Sequence, residues 1–206
     1  MREGQEGQVA GIELGRMSQQ AQTFMADAAV IVKPCSLEEL RGQVRREPGA
    51  LFAVLDACDE PRVPAKVSEL GQDVAVSLYA GRAEQDYWAI APYLARADEE
   101  LLDWIVAELW GSPWGVFVVA AADLAAVRKH FRRFLMVLGP HGERLYFRYY
   151  DPRVLPTFLS TCAPAEQEEF FGPIRRFCVQ GEGSDLTAFE RDRRNRGPGF
   201  EVDRAG

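Results

Sequence analysis

The pattern of apolar and polar residues along the chain predicts a sheet with helices packed on it. Short, continuous apolar runs at residues 50–57 and 114–120 are typical of strands that are buried on both faces. Between these runs, apolar residues recur three and four positions apart. This spacing predicts one helix from Ser36 to about residue 47 and another from Asp98 to about residue 110, each beginning at a capping residue.

Weaker patterns lie between these elements. Residues 63–70 predict a short helix, residues 73–79 a second strand, and the polar residues 81–86 a loop. Residues 87–94 are apolar but contain Pro92, which has no N–H to donate to a strand ladder. They are therefore predicted to form an edge strand or an extended, packed segment.

The second half of the chain contains a predicted β-hairpin. Two apolar segments, residues 134–138 and 145–150, flank the turn Gly139-Pro140-His141-Gly142. The other predicted elements here are a helix beginning at Asp123, helices at 152–160 and 164–171, and a strand at 174–179.

Together these elements predict an α/β (or α+β) fold with a mixed β-sheet, packed helices and a late β-hairpin, in a single domain with flexible termini. Residues 34–180 form the predicted folded domain. Residues 1–33, rich in Gly, Gln and Ala, are predicted to be a mobile leader with a short helix around 18–28. Residues 181–206, charged and rich in Gly, are predicted to be a disordered tail.

Composition narrows the classes of function. The chain has 206 residues, enough for one domain with a sizeable core, and its net charge of −7 argues against a nucleic-acid-binding protein. It has no apolar run of about 20 residues, so no membrane span is predicted. Its first residues lack the pattern of a secretory signal, which favours the cytoplasm. The four cysteines are far apart in sequence, which favours reduced, mostly buried thiols over a zinc site.

The sequence contains no recognisable catalytic motif. The sequence has no phosphate-binding Gly-Lys loop, no Gly-x-Gly-x-x-Gly after a strand and no Gly-x-Ser-x-Gly elbow. It has two histidines, of which His141 lies on the hairpin turn and His130 lies among arginines that favour its neutral form. Asp56 and Asp59, at the end of the first apolar run, favour a turn cap over a metal ligand or a catalytic acid. We therefore expect no enzyme activity, no cofactor and no metal. An acid-dependent enzyme without a recognisable motif stays the less favoured alternative.

Clusters of basic and aromatic residues are the candidate binding features. On the helix after Asp123, Arg128 lies one turn from Arg132, and Lys129 lies one turn from Arg133. Residues four positions apart are neighbours on one helix face, so these like charges repel each other. Such a face favours an acidic partner, within the chain or outside it, and a solvated helix face is an equal alternative. Three tryptophans in eleven positions favour a wedge in the core over a binding platform; they are Trp104, Trp110 and Trp114.

The segment Phe147-Arg148-Tyr149-Tyr150-Asp151-Pro152-Arg153 is the most distinctive part of the sequence. Asp151-Pro152 is predicted to turn the chain from the hairpin into a helix. We expect Asp151 to accept backbone hydrogen bonds at the start of that helix and to pair with Arg153 or Arg148. This scaffold role is favoured over direct contact with a partner.

This segment carries a family resemblance, together with FFGP at residues 170–173 and LLDWIVAELWGSPWGVFV at residues 101–118. Over roughly residues 50–178 the chain resembles the bacterial family known as domain of unknown function 4123. The resemblance implies a non-enzymatic adaptor chaperone of the type VI secretion system. Such a protein binds one cognate toxic effector in the cytoplasm and helps to load it onto the VgrG spike. A protein-binding module outside secretion is the alternative.

Two groups of residues follow from these arguments. The candidate partner-binding residues are Arg128, Arg132, Arg133, Arg148, Tyr150 and Arg153. The candidate structural residues are Trp110, Trp114, Asp151 and Pro152.

Overall fold

A seven-stranded antiparallel sheet forms the centre of the computed structural model, which describes residues 30–47, 49–139, 141–181 and 185–191. A separate two-stranded hairpin lies outside this sheet. The strands are β1 (Val30–Cys35), β2 (Leu51–Asp56), β3 (Ala75–Ser77), β4 (Pro92–Arg96), β5 (Gly115–Ala120), β6 (Met136–Leu138), β7 (Arg144–Tyr146), β8 (Ile174–Gln180) and β9 (Leu186–Arg191). The order in the main sheet is β1-β9-β8-β5-β2-β4-β3, and strands β6 and β7 form the hairpin.

Helices cover both faces of the main sheet. They are α1 (Leu37–Arg46), α2 (Val63–Leu70), α3 (Arg82–Asp86), α4 (Glu99–Trp104), α5 (Leu124–Arg132), α6 (Leu155–Thr161) and α7 (Pro164–Phe171). A 3₁₀ turn covers Trp88–Ile90, and α4 continues into a π-helical turn at Ile105–Leu109. No helix among the described residues is long and apolar enough to cross a membrane.

Strand β2 divides the interior into two cores because its successive side chains point to opposite faces. Leu51, Ala53 and Leu55 belong to the first core, which is closed by α1, α2 and α4. Phe52 and Val54 belong to the second core, which is closed by α5, α6 and α7. The chain therefore buries the central strands between two helical layers, as their continuous apolar sequences predict.

The predicted sheet, packed helices and late hairpin are confirmed. The sheet is not mixed as predicted, because every strand pairing in the described part is antiparallel. The predicted caps are also present. Ser36 accepts a hydrogen bond from the Glu39 N–H at 3.2 Å, and Asp98 accepts one from Leu101 at 2.9 Å. Asp123 caps α5 by accepting from the Ala126 N–H at 2.8 Å.

The sheet extends beyond the predicted boundaries of residues 34 and 180. Strands β1 and β9 pair with each other over six residues, and Leu186, Ala188 and Phe189 of β9 are buried. Strands β1 and β9 were not predicted because each is a short apolar run beside Gly-rich or charged sequence. The rest of the predicted leader and tail, with the helix predicted around 18–28, lies outside the described residues.

Two local predictions are wrong. Strand β4 is not an edge strand but lies between β2 and β3. Pro92 is its first residue, so the missing N–H falls where the strand begins, and the Pro92 carbonyl accepts from the Leu78 N–H at 2.9 Å. The predicted loop at 81–86 contains helix α3, whose single turn is spanned by an ion pair of Arg82 with Asp86 at 3.1 Å.

Candidate functional site

The segment after the hairpin, residues 147–153, returns the chain to the end of β2. Tyr149 and Tyr150 are buried in the second core, while Arg148 reaches Asp56, the last residue of β2. The first carboxylate oxygen of Asp56 accepts the Cys58 N–H at 3.0 Å, which confirms that it caps the turn after the strand. Its second oxygen accepts from the Arg148 guanidinium.

Two arginines and three aspartates form a continuous network here, which we call the Arg–Asp cluster: Asp56, Asp59, Arg148, Asp151 and Arg153. Asp59 accepts from Arg148 at 2.9 Å and from Arg153 at 2.8 Å, so it bridges the two guanidiniums. Asp151 accepts the backbone N–H and the Nε–H of Arg153, both at 2.8 Å. The predicted pairing of Asp151 with Arg153 is therefore confirmed.

The two buried aspartates of the cluster have opposite pKa shifts. Asp56 is fully buried, and burial raises its pKa despite the opposing hydrogen bond and charge of Arg148. Burial also acts to raise the pKa of Asp151, but the hydrogen bonds from Arg153 outweigh it and leave that pKa lowered. Each carboxylate thus bonds to at least one guanidinium. This arrangement braces the base of the hairpin against the main sheet.

The predicted partner-binding arginines of α5 have different surroundings. Arg128 is used within the fold: it donates to the carbonyl oxygens of Ser77 at 2.7 Å and Tyr79 at 3.1 Å, which holds the chain at the end of the edge strand β3. Arg133 pairs with Glu169 at 2.5 Å. Arg132 is exposed and forms no hydrogen bond or ion pair with the described residues.

The other predicted site residues are buried or half-buried within the fold. Tyr150 is buried, so this conformation does not offer it to a partner. Trp114 is fully buried, and its indole N–H donates to Gln180 at 3.0 Å, while Trp110 packs at the border of the first core. Pro152 is half-buried in the turn that precedes α6. The prediction of a tryptophan wedge in the core thus agrees with the positions of Trp110 and Trp114.

The FFGP segment closes the second core. Phe170 and Phe171 are fully buried, and a ring nitrogen of His130 lies 2.7 Å from the Phe170 carbonyl oxygen. Gly172 has a positive φ of 46°, and a Cβ atom at this position would lie 2.4 Å from the His130 ring. Burial is the main reason that the pKa of His130 is lowered, and the nearby Arg133 adds to the effect. His130 therefore fixes the end of α7, which is a packing role.

The hairpin is the feature that the sequence did not identify as a candidate site. Every residue of β6 and β7 is exposed, although the two strands read Met-Val-Leu and Arg-Leu-Tyr. We call their apolar residues the hairpin surface: Met136, Val137, Leu138, Leu145 and Tyr146. Large exposed apolar patches in folded proteins mark sites of interaction.

Asp151 should act as a scaffold residue, as the sequence suggested. We expect Asp151→Ala to lower the free energy of unfolding by about 2 kcal/mol, because the variant loses a buried carboxylate that accepts three hydrogen bonds from Arg153. Its folded pKa is lowered, so its contribution is present above the unfolded pKa and is lost as the pH falls through the folded value. The difference from wild type should therefore shrink below about pH 4. Chemical denaturation at several pH values measures it. Unchanged stability with lost partner binding would instead make Asp151 a contact residue.

The family described as Domain of unknown function (DUF4123) matches residues 51–169, more than half of the chain. The match includes the whole Arg–Asp cluster and the hairpin. No curated protein and no solved structure gives a significant match.

Proposed function

Because the chain belongs to the domain of unknown function 4123 family, we propose that it is an adaptor chaperone of the type VI secretion system. In this role it binds a cognate toxic effector in the cytoplasm and helps to load it onto the VgrG spike. The family match over residues 51–169 is the observation that carries the proposal. The exposed hairpin surface supports it, because an adaptor needs an accessible surface for its cargo.

The proposed role is binding without catalysis. It requires no cofactor, nucleic acid or membrane, and the two partners are the effector and VgrG. The Arg–Asp cluster fits this role because its carboxylates and guanidiniums pair with one another, which braces the base of the hairpin.

Co-purification from the native host tests the proposal. The full-length chain, tagged and expressed at its native level, should retain the product of a neighbouring effector gene, VgrG, or both. The untagged strain is the control for background binding. Recovery of neither protein would contradict the proposal, and recovery of partners unrelated to secretion would favour the alternative of a general protein-binding module.

A further inference from the structure

The hairpin is apolar on both of its faces. Paired residues of an antiparallel ribbon share a face, so Val137 and Leu145 lie on one face and Met136 and Tyr146 on the other. Tyr146 contacts the ring of Tyr79, with ring centroids 5.7 Å apart. Val137 and Leu145 nevertheless remain 38% and 44% exposed. A two-stranded ribbon is only marginally stable in water, so apolar residues on both faces need a further partner.

Both edges of the hairpin are also open. The Phe147 N–H donates to the Leu135 carbonyl oxygen at 2.9 Å, and the Gly139 N–H donates to the Glu143 carbonyl oxygen at 2.8 Å. Leu135 with Phe147 and Gly139 with Glu143 are therefore hydrogen-bonded pairs of the antiparallel ladder. By the alternation of an antiparallel ladder, Met136 and Leu138 then direct their backbone N–H and C=O groups away from β7. Arg144 and Tyr146 do the same on the other edge. In the described part of the chain, these edges pair with no further strand.

Three cations that are unpaired among the described residues lie on the hairpin or on the helix that leads into it. Lys129, Arg132 and Arg144 are exposed and form no ion pair with any residue that the structure describes. Lys129 and Arg132 are three positions apart on α5 and therefore lie on the same side of the helix, and Arg132 precedes β6 by four residues. Glu143 is the acidic residue of the turn, and its carboxylate accepts the His141 N–H at 2.9 Å. These cations stand out on a chain whose net charge is −7.

We propose that the hairpin binds an extended segment of the effector, in which apolar residues alternate with acidic ones, by adding it as a third strand. Backbone groups of the open edge bond the added strand, the hairpin surface packs its apolar side chains, and the unpaired cations meet its carboxylates. This inference rests on the proposed adaptor function. It specifies the surface and the chemistry of the cargo segment.

Leu138→Glu is the most discriminating substitution. Leu138 is 75% exposed and lies opposite Arg144, so a glutamate here gains a cross-strand ion pair and the hairpin stays folded. The same glutamate removes an apolar contact and repels an acidic segment. We expect the affinity for the co-purified effector to fall about tenfold or more in titration calorimetry.

Val32→Glu is the matched control. Val32 is 61% exposed and also lies in a strand. Its strand β1 is one edge of the main sheet, whereas β3 is the other edge and leads to Tyr79, which contacts the hairpin. This substitution changes charge and apolarity in the same way and should leave the affinity unchanged. Equal affinities of Leu138→Glu, Val32→Glu and wild type would overturn the inference.

Charge is tested separately on α5, outside the hairpin. Arg132→Glu should weaken binding several-fold, and the effect should diminish as salt is added. Arg46→Glu, at the exposed end of α1, makes the same charge change and should have no effect. An equal loss in both variants would mean that net charge alone governs binding, which contradicts a local site.

Amide hydrogen exchange tests the strand addition itself. In the complex, the outward amides of one edge should exchange more slowly, either Met136 with Leu138 or Arg144 with Tyr146. If these amides are already protected in the free protein, the hairpin pairs with another segment of this chain. If the protein forms a dimer that Leu138→Glu dissociates without changing effector affinity, the hairpin pairs with a second copy. If wild type binds no effector at all, the adaptor function fails rather than this inference.

Discussion

Replacing Gly115 with alanine should destabilise the protein more than the loss of any side chain of the Arg–Asp cluster. Gly115 begins β5 opposite Leu55, with a positive φ of 142°. A Cβ atom at this position would lie 1.9 Å from the Val54 carbonyl oxygen, inside the central sheet. Because the obstacle is backbone, the strand pair itself must move. We expect a loss of about 4 kcal/mol in the free energy of unfolding, or failure to fold.

Gly111→Ala is the matched control for this prediction. Gly111 also has a positive φ, 91°, but nothing lies within 4 Å of an added Cβ. Only the backbone conformation is penalised, which costs about 1–2 kcal/mol. Urea unfolding followed by tryptophan fluorescence measures both variants. If Gly115→Ala is no less stable than Gly111→Ala, the close approach of β5 to β2 is not as described.

Arg148→Ala should have the second-largest effect. Its guanidinium is the basic partner of the fully buried Asp56 and also bonds Asp59. Removing one member of a buried pair leaves the other charge unpaired, which costs about 3 kcal/mol. Arg153→Ala is the control within the same cluster. Its side chain is 62% exposed, and the Arg153 backbone N–H, which the variant keeps, still donates to the Asp151 carboxylate at 2.8 Å, so we expect a loss of only about 1 kcal/mol.

The effect of Arg148→Ala should depend on pH in a defined direction. Burial raises the pKa of Asp56, and Arg148 opposes this, so the variant raises that pKa further. A carboxyl whose folded pKa is raised favours the folded state at low pH and loses that contribution as the pH rises through the folded value. The difference from wild type should therefore be larger at neutral pH than at acidic pH. Restoration of stability by adding Asp56→Asn to Arg148→Ala would confirm the buried charge as the cause, whereas an unchanged deficit would contradict it.

Local signals in the sequence predicted much of the fold. Ser36, Asp98 and Asp123 cap their helices. Each has a short side chain whose oxygen accepts a free backbone N–H of the first turn, and each comes directly before a run of helically spaced apolar residues. The continuous apolar runs of β2 and β5 predicted strands buried on both faces. These features depend on neighbours a few residues apart, which the sequence displays directly.

The candidate site depends on distant neighbours, which the sequence does not display. Asp56 and Arg148 are 92 residues apart, and only the fold brings them together. The position of Asp56 at a strand end predicts that it caps a turn, and one of its carboxylate oxygens does so. The sequence did not predict that the other oxygen accepts from Arg148. The turn chemistry predicted the hairpin, but its apolar strands look like those of a buried sheet, so the pattern did not reveal that the hairpin lies exposed outside the sheet.

Reconstituted loading tests the proposed adaptor function most directly. Immobilised VgrG is incubated with the co-purified effector, with and without the purified full-length chain, and the retained effector is quantified. We predict that VgrG retains the effector when the chain is present and loses most of it when the chain is absent. Equal retention without the chain would contradict the account, because the effector would then load onto the spike unaided.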